Sequence, residues 1–251
     1  MGRVAFVGAG PGAADLITLR GARLLSMADV VLADALADPD LRDLAPRAIW
    51  RDVGKRGFDH AVQQRTIDAM LVHEAKRHAL VVRLKGGDPS LFGRLEEELQ
   101  ALAAHGIECE VVPGVTAATA AAAHTRRPLT RRGRGRSVAF STAMTAAHEL
   151  RASRSADSEV FYMAGRQLGA LARRLREAGW PETTPVSVVS RAGCRDALAT
   201  DHCIGTLAQA ALLHAGRPTV VTAGIAATAL PDRAKTAADT GTPRPARDLS
   251  H

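Results

Sequence analysis

The chain has 251 residues, 46% of them hydrophobic and 24% charged, a length and balance that allow one large core or two compact domains. Its apolar stretches are broken by charge or glycine before the ~18 residues a membrane-spanning helix needs, so a cytoplasmic protein with no membrane partner is expected. The formal charge of +7 calls for an acidic ligand, and an aromatic share of 3% offers no base-stacking platform, so nucleic acid is not the expected partner.

Alternation of apolar runs with helix-period segments predicts an α/β fold in chain order. A strand over 3–7 begins directly after Met1-Gly2, so no secretory leader is expected. It feeds Gly8-Ala9-Gly10-Pro11-Gly12 and then a helix over 13–28 whose Leu16, Ile17, Leu24 and Leu25 share a face. A short strand over 30–32, a loop through Pro46, a strand over 49–53 and a long helix over 61–76 follow. The run at 80–84 is the next strand, and it leads into Lys85-Gly86-Gly87-Asp88-Pro89 and a helix over 94–104. A strand over 109–112 turns at Pro113-Gly114 into the alanine-rich helix 116–124.

Composition then changes. Arg126, Arg127, Arg131, Arg132, Arg134 and Arg136 crowd a stretch that also holds Pro128, Gly133 and Gly135, a pattern expected of a solvated linker. Beyond it the rhythm restarts, with strands predicted over 137–141, 160–163, 185–190 and 219–223 and helices over 165–178 and 207–214. The division is therefore an N-terminal α/β domain over 1–125, an arginine-rich linker over 126–136 and a C-terminal α/β domain over 137–230. Residues 231–251 lack apolar period and are expected to be a disordered tail.

Cys109, Cys194 and Cys203 are widely separated, and the nine histidines show no helical ligand pair. Neither a disulfide framework nor a metal site is predicted.

The chemistry sits in the loops. Parallel strands gather the loops at their carboxyl ends along one edge, where ligands usually bind. Glycine there lets backbone groups approach a ligand closely. Gly8-x-Gly10-x-x-Ala13, with Asp34 about twenty residues on, also fits the fingerprint of an NAD(P)-binding Rossmann oxidoreductase. Pro11, however, lacks the N–H that a turn holding a pyrophosphate would use. Gly-Gly-Asp-Pro alone is ordinary turn chemistry, but here it follows a buried strand, and Pro113-Gly114-Val115-Thr116-Ala117 occupies the same kind of position.

Taken together, Val7-Gly8-Ala9-Gly10-Pro11-Gly12, Ala28-Asp29-Val30-Val31-Leu32, Val53-Gly54-Lys55-Arg56, Val82-Arg83-Leu84-Lys85-Gly86-Gly87-Asp88-Pro89, Val111-Val112-Pro113-Gly114-Val115-Thr116, Pro128-Leu129-Thr130 and Tyr162-Met163 resemble the tetrapyrrole methylases. The likeness runs in order from about Arg3 to about Ala223. Gly-Lys-Arg with Lys-Gly-Gly-Asp-Pro is most similar to the branch that C-methylates uroporphyrinogen III to precorrin-2, on the way to sirohaem or cobalamin.

The resemblance implies two domains, each a mixed sheet flanked by helices, with an active-site cleft between them and a homodimeric assembly. It implies S-adenosylmethionine as methyl donor, with S-adenosylhomocysteine as product. Carried over by position, the donor would meet Pro11, Gly86, Gly87, Asp88, Leu91, Thr116 and Ala117, with Met163 and Ala192 from the second domain. Asp34 matches the family's proton acceptor and Lys55 its proton donor.

A polycarboxylate tetrapyrrole also accounts for the basicity, and Arg56, Arg83, Lys85, Arg94 and part of 126–136 are expected to line its side of the cleft. Departures from the family pattern fall on that side: Ala33 stands where tyrosine is usual, Leu95 where glycine is, Arg131 where histidine is, and Ala143 also differs. A relative acting on another acceptor, or binding the donor without turnover, is the alternative.

Overall fold

The computed structural model describes residues 2–54, 60–143 and 150–230, which form two five-stranded sheets flanked by helices. The first half contains β1 (Arg3–Gly8), α1 (Leu19–Ser26), β2 (Val30–Ala33), β3 (Ile49–Asp52), α2 (His60–Ala75), β4 (Leu80–Lys85), α3 (Leu95–Ala103), β5 (Cys109–Val112) and α4 (Ala117–Thr125). Its strand order is β3-β2-β4-β1-β5, and all four pairings are parallel.

Strand alternation divides this core between two faces. Val4 and Phe6 of β1 and Val81 of β4 point toward α2 and α3, where Ile67, Leu71 and Ala75 recur at four-residue spacing. Ala5, Val7 and Val82 point the other way, onto Leu24 and Leu25 of α1. Phe6 and Leu71 are fully buried, each stabilising the fold by roughly 1.5–3 kcal/mol. The helix predicted over 13–28 is shorter than its pattern. Ala14–Leu16 form a 3-10 turn, Ile17 and Thr18 are extended, and Thr18 Oγ1 caps α1 by accepting from Gly21 N–H at 3.1 Å.

The second half contains β6 (Val138–Thr142), β7 (Ser158–Tyr162), α5 (Leu168–Glu177), β8 (Pro185–Ser190), β9 (Leu198–Cys203), α6 (Ala211–His214) and β10 (Thr219–Gly224), in the order β6-β7-β10-β8-β9. Only β6 and β7 pair in parallel, so the mixed character lies in this sheet. The sequence reading omits β9, an edge strand that carries Asp201 and His202 and has no fully buried residue. With neither face buried, it lacks the apolar alternation that marks a strand.

One face of this sheet buries Leu168, Leu171 and Leu175 of α5. The other is covered by α4, whose Ala118, Ala120 and Ala121 pack on Val160, Tyr162, Val189 and Val220. The alanine-rich helix that ends the first half thus docks on the second sheet, its small side chains permitting close approach.

The arginine-rich stretch leaves α4 at Arg126, held at φ 54°, and closes a tight hairpin in which Arg131 and Gly135 pair. Arg131 Nη2 donates to the Thr228 carbonyl beyond the end of β10. The expected tail over 231–251 lies outside the described residues. Among those described, no helix is long and apolar enough to cross a membrane.

Candidate active site

Every strand of the first sheet ends on one edge, and the loops that follow β1, β2, β4 and β5 line a cavity of about 880 Å³. The second sheet closes it with Tyr162 at the end of β7 and Met163 just after it, Arg191 to Asp196 after β8, and Pro218 to Val220 where β10 begins. The size lies within the ~300–1,000 Å³ of small-molecule sites.

Backbone pairing brings the loops together. Gly87 N–H donates to the Gly10 carbonyl at 2.7 Å and Gly10 N–H to the Gly87 carbonyl at 3.3 Å. Gly114 touches both loops: a Cβ there would lie 2.2 Å from Gly87 O and 2.8 Å from Gly8 Cα, so no other residue fits without displacing backbone. Asp88 ties the third loop to the second, its Oδ2 accepting from Gly114 N–H at 2.9 Å and its Oδ1 from Ser90 N–H at 2.7 Å. The loop after β1 reaches the second half as Ala13 N–H donates to the Gly193 carbonyl at 2.9 Å.

These same bonds leave little for a pyrophosphate. The N–H groups of Ala9, Gly10 and Ala13 all donate to backbone carbonyls, Pro11 has none, and the loop runs into a 3-10 turn rather than a helix N-terminus. The dinucleotide reading of Gly8 to Ala13 is therefore not supported by the geometry.

All nine residues matched to the methyl donor, namely Pro11, Gly86, Gly87, Asp88, Leu91, Thr116, Ala117, Met163 and Ala192, line this one cavity. The fit to an adenosyl ligand rests on its shape. Gly87 holds φ +71°, and the direction its Cβ would take is empty. Pro11, Leu91, Ala117 and Met163 supply apolar walls, and each Asp88 oxygen keeps a lone pair beyond the backbone bond described above. Met163 is held at φ 58° and is partly exposed, the kind of strained position that clusters at ligand sites.

Asp34 follows β2 and heads a buried chain of charge. Its Oδ1 accepts from Arg83 Nη2 at 2.6 Å; Arg83 Nε donates to Glu98 Oε1 at 2.9 Å, and Lys85 Nζ to Glu98 Oε2 at 2.5 Å. Burial opposes the charge of Arg83, but the carboxylates of Asp34 and Glu98 outweigh it and hold the guanidinium above its ordinary range. Burial, and then the charge of Arg83, push the Lys85 ammonium down despite Glu98.

This arrangement corrects the expectation for the arginines and lysine at the cleft. Arg83 and Lys85 are buried and engaged with carboxylates, and Arg94 forms a two-pronged pair with Glu97. None of residues 126–136 lines the cavity. β10 starts there at Thr219 and ends five residues on beside the hairpin, a strand length of ~17 Å. Arg127 pairs with Asp201 of β9 instead. Lys55 and Arg56 lie outside the described residues.

Sequence reasoning missed Tyr162, Phe92, Arg191 and the Pro218–Val220 wall. Tyr162 Oη shares a hydrogen bond with Thr116 Oγ1 at 2.7 Å, and its ring meets Phe92 at 5.1 Å and Phe140 at 6.0 Å between centroids. Burial, opposed by that hydrogen bond, pushes the phenol above its ordinary value, so it stays protonated at neutral pH. The only signal was the Tyr162-Met163 pair itself. The Pro218–Val220 wall gave none, because β10 runs antiparallel and offers its amino end to the cavity.

Comparison with known proteins identifies one family and three similar proteins. The profile of the tetrapyrrole (corrin/porphyrin) methylases matches residues 3–211. A siroheme synthase of Baumannia cicadellinicola subsp. Homalodisca coagulata is 43% identical over 233 residues, 89% of this chain and 50% of that protein. The chain spans half or less of the length of such curated relatives. Among solved structures, the uroporphyrin-III C-methyl transferase of Thermus thermophilus complexed with S-adenyl homocysteine has a TM-score of 0.79 at 34% identity, covering 90% of this chain and 98% of its own. A cobalt precorrin-4 methyltransferase reaches a TM-score of 0.76 at 29% identity, over 90% and 96% of the two chains.

Proposed function

Because the chain belongs to the tetrapyrrole (corrin/porphyrin) methylase family, we propose that it C-methylates uroporphyrinogen III toward precorrin-2 with S-adenosylmethionine as donor. The observation that carries this reading is the convergence of all nine matched donor residues, from both halves of the chain, on one cavity of about 880 Å³.

Pro11, Gly86, Gly87, Leu91, Thr116, Ala117, Met163 and Ala192 would hold the donor, with Asp88 fixing the two loops around it. When bound, S-adenosylmethionine supplies a methyl group already activated on a sulfonium. The protein's share is then alignment, exclusion of water and handling of protons. A reduced pyrrole is an enamine-like carbon nucleophile, and its ring loses a proton after methylation. Asp34 accepts that proton: one oxygen is anchored on Arg83, the side chain is 32% exposed, and the next residue, Ala35, lines the cavity although Asp34 itself does not. Lys55 is the proposed proton donor.

The cationic groups that line the cavity are Arg191 and Arg195, both on the segment after β8. Arg191 is itself paired, its Nε donating to Asp196 Oδ1 at 2.8 Å, so among the described residues Arg195 is the candidate for binding acceptor carboxylates, taking the role first given to Arg83 and Lys85. The departures at Ala33 and Leu95 favour, as second reading, a different tetrapyrrole acceptor. We also read the enzyme as a cytoplasmic homodimer of two-domain chains, divided near 126–136.

Two measurements test the proposal. Calorimetry is expected to show binding of S-adenosylhomocysteine and none of NAD, and the reverse would restore the oxidoreductase reading. Expression alongside enzymes that make uroporphyrinogen is expected to accumulate red-fluorescent methylated tetrapyrrole; donor binding with no fluorescence would point to the other acceptor.

A further inference from the structure

Resting on the reading of Asp34 as proton acceptor, we infer that Glu98 is a positioning residue for the reaction: it divides Arg83 between two carboxylates, draws in Lys85, and so sets the positive charge that Asp34 faces.

Glu98 lies on α3, remote in sequence from Asp34, and its side chain is fully buried. It accepts from Arg83 Nε through one oxygen and from Lys85 Nζ through the other. The remaining nitrogens of Arg83 are also committed: Nη2 to Asp34, and Nη1 to the carbonyls of Leu32 and Leu84 at 3.3 Å each. The guanidinium cannot turn, so its angle toward Asp34 is fixed by what holds its other end. Lys85 is fixed in turn, with its Cε close against Gly93.

Four charges in series, Asp34, Arg83, Glu98 and Lys85, sum to zero. Burying them is not a stability device, because apolar residues of similar volume usually serve a core at least as well. A neutral chain that ends on Asp34 instead fixes the charge that this carboxylate faces. Asp68 of α2, Glu97 of α3 and Arg94 just before α3 face the Glu98 end of the chain. Arg83 is the charged group in contact with Asp34 among the described residues.

The test is the pH dependence of kcat/KM for methyl transfer in wild type, Lys85→Met, Glu98→Gln and the double variant. Removing the Lys85 charge makes Asp34 easier to protonate, so the acid limb is expected at higher pH. Removing the Glu98 charge moves it to lower pH. Each displacement is on the order of half a pH unit, below the ~1–3 units of a directly contacting charge. The double variant keeps the sum at zero, and its limb is expected close to wild type.

Calorimetry with S-adenosylhomocysteine identifies which variants are folded. If Glu98→Gln does not fold, Lys85→Met and the double variant carry the test. A limb unmoved in folded Lys85→Met, or moved the same way in both single variants, overturns the inference. A parallel Asp34→Asn variant separates the two readings. Should it keep both rate and limb, the proton-acceptor assignment falls and this inference with it. Loss of the limb there, alongside an unmoved Lys85→Met, removes this inference alone.

Discussion

Asp34 has one oxygen fixed on a buried guanidinium and the rest of its side chain partly open, so its position is set by the protein while its proton exchange is not cut off. Asp34→Asn keeps the shape and removes the base. Methyl transfer is expected to fall by ~10²–10⁴-fold, as for loss of a general base, with S-adenosylhomocysteine affinity retained in calorimetry. The arginine-rich hairpin gives the opposite expectation. Arg132 is exposed, away from the cavity, so Arg132→Glu is expected to leave the acceptor KM at its wild-type value in initial-rate assays. A raised KM would put the hairpin back at the acceptor site. Residue type pointed to Arg56, Arg83, Arg94 and part of 126–136 alike as carboxylate partners, and the pairs that the described ones make tell them apart.

At the scale of elements, the floor of the cavity depends on how β8 and β10 are clamped. Ser190 at the end of β8 bonds Thr219 at the start of β10 at 3.0 Å and His214 Nδ1 of α6 at 2.5 Å, and His214 Nε2 meets Thr200 of β9 at 2.8 Å. His214 is fully buried; burial first, then the charges of His202 and Arg217, lower its proton affinity from the ordinary 6.5. The neutral ring is thus the folded form. As pH falls below 6.5, the unfolded chain takes up a proton that the native state refuses, so stability declines between that value and the lower folded pKa. Urea midpoints measured across this window are expected to fall with pH in wild type. In His214→Gln, part of that slope is expected to disappear, at a lower stability throughout.

For the whole molecule, what matters is how the halves are joined across the cavity. Thr116, at the start of α4, bonds Tyr162 at the end of β7, while the rest of α4 packs under the second sheet. Tyr162→Phe keeps the ring contacts and removes a bond with a net contribution of ~0.5–1.5 kcal/mol, so S-adenosylhomocysteine is expected to bind several-fold more weakly in calorimetry, with near-native far-ultraviolet circular dichroism. Unchanged affinity would show that Thr116 is held well enough without it. The amino-acid sequence by itself determined the alternation of strands and helices and the ligand edge, because apolar period and glycine-bearing turns are local properties that survive without knowledge of the fold; the nine residues on that edge came from the family resemblance, carried over by position. It could not find β9, the amino end of β10 or the division of Arg83 between Asp34 and Glu98. Those depend on strand direction and on partners far apart in the chain, and a charge becomes a tether, a counter-ion or a ligand only once folding has decided what lies within hydrogen-bonding reach.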